Sequence, residues 1–166
     1  MEKLKIIGID PGLVHTGVVS ILFDPSAKMV NVDYLLVDGI KDPALHEAAD
    51  WTNDHHPTSV FIEAYRPRSN FSVDPVMGAA VNQLRRLIHR SVTLDNTGVT
   101  KVVKPGLMQL FKVWTFPKSH HQDLRSAARI GLYGALKTPE WNLVVSGVVI
   151  DQLAGKPWQV IRKDAP

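Results

Sequence analysis

The sequence predicts a mixed α/β fold, a five-stranded sheet of three antiparallel strands followed by parallel ones and flanked by helices. Three observations carry that reading. Two apolar runs near the N-terminus, LKIIGI and VVSILF, are split by Asp10-Pro11-Gly12, which is a hairpin signal. A third run, MVNVDYLLV, follows at once and alternates before turning apolar. Beyond it, strand-like and helix-like segments alternate, the order that adds parallel strands to a sheet.

Taken in order, the first strand is Leu4 to Ile9, ending on Asp10, and the second lies within Val14 to Phe23. Met29 to Val37 is the third strand and Asp38-Gly39 ends it. Asp42-Pro43 then opens a helix with Asp as cap and Pro at the first helical position; Leu45, Ala48, Ala49 and Trp51 supply its apolar face before Pro57. Thr58 to Ile62 is β-branched and aromatic, a fourth strand parallel to the first, and it ends on Glu63. Tyr65 to Val73 reads as a loop with two arginines and two aromatics. A long helix runs from Asp74 to about Arg90, with a narrow apolar seam of Met77, Val81, Leu84 and Ile88. Ser91 to Leu94 is the fifth strand. Residues 97–114 admit two readings, because Lys104-Pro105-Gly106 interrupts a helical pattern. Ser119 and Gln122 form a capping box for a helix reaching Lys137, and a last helix follows, capped by Asn142 and stopped by Gly155.

The 166 residues fit one domain, residues 1–166, large enough to bury a core. The absence of cysteine excludes disulfides, thiolate metal sites and a cysteine nucleophile. The N-terminus turns acidic too soon for a signal peptide, and no apolar run reaches the roughly 18 residues of a membrane span. The expectation is an intracellular, cytoplasmic protein with no membrane partner. Charge is unevenly spread: residues 1–63 hold four basic and ten acidic side chains, and residues 64–137 hold twelve and three. A middle third so basic is the footprint of a polyanion-binding face, though a merely solvated basic surface gives the same count.

Three places carry chemistry: Asp10 ending the first strand, Glu63 ending the fourth, and His120 with Asp123 at the capped helix start. Parallel neighbouring strands would bring Asp10 and Glu63 out at one end of the sheet. His120 and Asp123, three apart, share a helix face. Each also has a plainer explanation: a turn acid, a surface acid, a first-turn histidine and an acid favoured by the helix dipole. Together they make a set of hard ligands suited to Mg²⁺, with Mn²⁺ a competent substitute given one imidazole. Two such ions about 3.5–4 Å apart would activate water against a phosphodiester.

The segments IGIDPGLVHTGVV, FIEAYRP and HHQDLRSAARIGL, in this order and spacing, resemble the RuvC family of Holliday junction resolvases over about residues 4–137. The resemblance implies a ribonuclease-H-like fold and a divalent-metal-dependent endonuclease. It implies Asp10, Glu63, His120 and Asp123 as catalytic metal ligands for two Mg²⁺ or Mn²⁺ ions. It further implies four-way or branched DNA as substrate, and a homodimer joined through Met77, Val81, Leu84 and Ile88. Tyr65, Arg66, Arg68 and Phe71 would meet the junction, with Arg85, Lys101, Lys104, Lys112 and Lys118 as further DNA contacts. Two departures stand out. The family's stacking aromatic three positions after the second acid is Arg66 here, and segment 97–118 matches poorly, which suits a viral or diverged member. Residues 139–166 add nothing to the resemblance. Two other functions fit the same residues: an RNA-processing nuclease of the same fold, and a non-catalytic junction-binding module.

Overall fold

The computed structural model describes residues 2–64, 74–117 and 121–164. At its centre lies β1 (Leu4–Asp10), with β2 (His15–Asp24) antiparallel on one side and β4 (Ser59–Ala64) parallel on the other. β3 (Met29–Asp38) continues the antiparallel half and β5 (Ser91–Asp95) the parallel half. A sixth strand, β6 (Gln159–Arg162), pairs in parallel with β3, so the sheet order is β5-β4-β1-β2-β3-β6. The mixed order and the pairing of the first and fourth strands agree with the sequence.

Period-two alternation divides the core between two faces. Ile7, Ile9, Val18, Val60 and Ile62 point to one face, where they pack with α1 (Asp42–Asp54) and α2 (Pro75–Leu87). Ile6, Val19, Ile21, Phe23 and Phe61 point to the other, under α5 (His121–Lys137) and α6 (Pro139–Leu153). The short helices α3 (Val99–Val102) and α4 (Pro105–Leu110) feed Val103, Met108 and Phe111 into the same side. Phe111 meets Phe23 edge-on, with ring centroids 5.4 Å apart. Each fully buried side chain of this size contributes about 1.5–3 kcal/mol, so both layers are held firmly against the sheet.

Four details differ from the sequence reading. The sheet has six strands, not five, because the expected C-terminal tail supplies β6; its run is too short to carry a pattern. α6 starts at Pro139 behind Thr138, and Asn142 lies inside it, where its amide donates to the Leu136 carbonyl. α2 ends at Leu87, three residues early. Its apolar seam faces inward: Leu84 and Ile88 are enclosed in the protomer's own core, Met77 is buried, and Val81 is half-buried. The ambiguous segment 97–114 resolves into α3 and α4, broken where Pro105 starts a new helix. Among the described residues no helix is long and apolar enough to cross a membrane.

Candidate active site

Asp10 and Glu63 occupy the position one step beyond the Ile9–Ile62 pair of the parallel β1–β4 ladder. Register partners on adjacent strands sit about 4.8 Å apart and point to the same face. That face is the α5 side, since Ile6 and Phe61 belong to its core cluster. Both acids are 7% exposed. Burying two carboxylates side by side is unfavourable unless hydrogen bonds or cations compensate. Asn96, just past β5, donates from Nδ2 to Glu63 Oε1 at 2.9 Å.

The third acid arrives through backbone contact. α5 runs directly over β1 and β2, and glycines form its seat. A Cβ at Gly8 would lie 1.9 Å from the Ala127 carbonyl oxygen, and one at Gly17 would lie 2.6 Å from the Asp123 carbonyl oxygen. Gly17 is the register partner of Asp10. The first turn of α5 therefore rests on the residue beside Asp10, which brings half-buried Asp123 to the same end of the same face. His120, the remaining expected ligand, lies outside the described residues, as do Ser119 of the capping box and Lys118.

The turn after β1 is braced from within. Buried Thr16 accepts a hydrogen bond from the Gly12 amide at 3.4 Å and donates to the Gly39 carbonyl at 2.8 Å. In the stretch Asp-Pro-Gly-x-x-x-Thr-Gly, the acid is thus presented by a strand end, the turn is tied by the threonine, and the last glycine admits the helix.

The expected DNA-contacting residues divide. Tyr65, Arg66, Arg68 and Phe71 lie outside the described residues. Lys101, Lys104 and Lys112 are exposed in and around α3 and α4, on the α5 side of the sheet. Arg85 is exposed near the end of α2, on the opposite side, where it borders a cavity of about 230 Å³ with Met77, Val81 and Thr93. Sequence reasoning missed Asn96, whose role depends on β5 lying beside β4. It also missed Arg125 and Arg129 of α5, which stack on Trp114 with guanidinium carbons 4.2 and 5.8 Å from the ring centroid. Their four-residue spacing was the available signal.

The donor chemistry fits a hard divalent cation: Asp10, Glu63 and Asp123 offer carboxylate oxygens from rigid elements at one end of one face. Among the described residues, no three acidic or histidine side chains converge closely enough to enclose an ion by themselves.

No protein-family model matches the sequence. No curated protein matches it either. Solved structures do. Thermus thermophilus RuvC superposes with a TM-score of 0.62 at 14% identity, covering 82% of this chain and 96% of that one. The same protein in complex with Holliday junction substrate gives 0.61 at 13% identity, with the same coverage of both chains. Identity this low leaves the likeness as one of architecture: the chain has the ribonuclease-H-like fold of RuvC.

Proposed function

We propose that this chain is a metal-dependent endonuclease that resolves four-way or branched DNA, acting as a homodimer. One observation supports it most. Asp10 and Glu63 are buried side by side at the ends of adjacent parallel strands, beneath a helix whose first turn, carrying Asp123, rests on Gly17 beside Asp10. Such a cluster costs folding energy and makes sense as a cation site.

In this reading Asp10, Glu63, His120 and Asp123 hold two Mg²⁺ or Mn²⁺ ions. Bound there, the metal supplies an activated water and offsets charge on the leaving oxygen. The chain's own residues do the positioning. Asn96 fixes the Glu63 carboxylate by its hydrogen bond, as outer partners of metal ligands do. The sheet holds Asp10 and Glu63 on neighbouring strands, and the seat of α5 on Gly17 sets where the backbone of Asp123 stands. The basic residues between 64 and 137, including Lys101, Lys104 and Lys112 on the α5 side, hold the phosphate backbone. Because one protomer carries one such site, symmetric resolution needs two copies. With Leu84 and Ile88 enclosed, the α2 seam offers a partner mainly Val81.

The test is cleavage of a synthetic four-way junction with Mg²⁺ or Mn²⁺, beside linear duplex, single strand and an RNA hairpin. Asp10→Asn and Asp123→Asn run alongside, with binding measured in Ca²⁺. Paired symmetric nicks by the parent, and variants that bind without cutting, are expected. Binding without cutting in any metal would overturn the enzyme in favour of a junction-binding module. Preference for the hairpin would overturn the substrate.

A further inference from the structure

We infer that Arg125 and Arg129, stacked on Trp114, form a phosphate-binding subsite on α5, the helix that carries Asp123, and that this subsite grips the nucleic-acid backbone. The inference rests on the nuclease reading above and adds residues that reading does not use.

The two arginines stand one turn apart on the same flank of α5. Both guanidinium groups lean on one indole, that of Trp114 in the segment leading into α5. The Nε of each is buried and has no hydrogen-bond partner, and among the described residues neither side chain makes an ion pair. Buried donors are normally satisfied, and leaving one unmet is unfavourable. Cation–π stacking offsets part of this, and the two like charges repel each other. Burial and the neighbouring Arg125 charge hold Arg129 below the ordinary arginine range, while Glu63 pulls in the opposite sense. Arg125 and Arg129 lie on the helix that carries Asp123, two and six residues beyond it.

Folding by itself gives little reason to keep two unpaired guanidinium groups together. An anion with several acceptor oxygens relieves the repulsion: a phosphodiester accepts from the outer nitrogens of both planar forks and screens their like charges. The stack on Trp114 holds both groups in place beforehand, so little side-chain entropy is lost when the phosphate arrives.

The experiment compares the parent with Arg125→Gln, Arg129→Gln, the double variant, and Arg129→Lys. Four-way junction binding is measured in Ca²⁺ between about 50 and 200 mM salt, with thermal unfolding and metal-dependent cleavage on the same samples. Each glutamine variant is expected to weaken binding and flatten the salt slope by about one, and the double variant by about two. Thermal stability should be unchanged or slightly higher. KM should rise more than kcat falls, and Arg129→Lys should restore the slope while recovering only part of the affinity. A double variant with parental affinity and slope, from a parent that binds and cuts, overturns the subsite and leaves the nuclease reading intact. A lower unfolding temperature with an unchanged slope also overturns it, making the stack a structural clasp. A parent that binds no DNA overturns both.

Discussion

Adding one methyl group at Gly17 is the sharpest perturbation of the candidate site that leaves every chemical group in place. The new carbon would sit 2.6 Å from the Asp123 carbonyl oxygen, 2.7 Å from its carbon and 3.1 Å from the Leu124 nitrogen. All three are backbone atoms, so no rotamer change relieves the clash. Reaching an ordinary contact of 3.4 Å requires the start of α5 to lift by about 0.8 Å. Overpacking of this kind costs about 1–3 kcal/mol, which for a chain of this size lowers Tm by roughly 2–12 °C. The displacement carries Asp123 away from Asp10, and a misplacement near 1 Å can cost about 100-fold in rate. Gly147→Ala is the control. It lies inside α6 with nothing within 4 Å of an added Cβ, so alanine should stabilise by about 0.5–1 kcal/mol. Thermal unfolding and single-turnover junction cleavage read both variants. A Gly17→Ala protein with parental Tm and rate would refute the argument that backbone contact aligns the acids.

Three further outcomes follow from particular contacts. Asn96→Ala should leave the fold intact and lower cleavage by roughly 10–100-fold, the usual loss when a partner of a metal-binding carboxylate is removed; kinetics at saturating Mg²⁺ against limiting Mg²⁺ separates metal affinity from rate. The Asp24 carboxyl is held down to about 2 by the Lys3 ammonium at 2.8 Å, the Ser26 hydroxyl and the Ala27 amide. Its stabilising share is therefore present above the unfolded value near ~3.9 and is lost as pH falls through about 2. Urea midpoints of Asp24→Asn and the parent should differ at pH 6 and converge on acidification; a constant gap would contradict this origin. Arg162→Ala removes charge-assisted bonds to the Lys112 and Thr115 carbonyls and a stack on Phe116. It should cost roughly 1.5–3 kcal/mol and expose the segment before α5 to limited proteolysis.

Much of the fold was legible because its signals are local. The hairpin, the Asp-Pro helix starts and the two strand-terminal acids each announce themselves within a few residues, and the β1–β4 register then leaves Asp10 and Glu63 one step beyond its last pair. The rest depends on distant neighbours. β6 is four residues long and exists only because β3 offers an edge. Met77, Leu84 and Ile88 follow a period that suits any apolar partner, and in this chain that partner is the protomer itself. Asn96 has no motif; it matters because β5 lies next to β4. Arg125 and Arg129 read as helix-surface charges until Trp114 is brought beneath them from the preceding segment.

The glycine seat under α5 also governs how the molecule opens. Where a helix rests on side chains, it can slip or fray while the sheet survives. Here the Ala127 carbonyl lies against Gly8 and the Asp123 carbonyl against Gly17, both on strands at the heart of the sheet. Lifting α5 therefore uncovers β1 and β2 together, and the amides of Gly8, Gly17 and Ala127 should exchange with solvent deuterium only through global unfolding. The first turn of α5 then has no partly docked state: it stays seated beside Asp10 for as long as the sheet is folded.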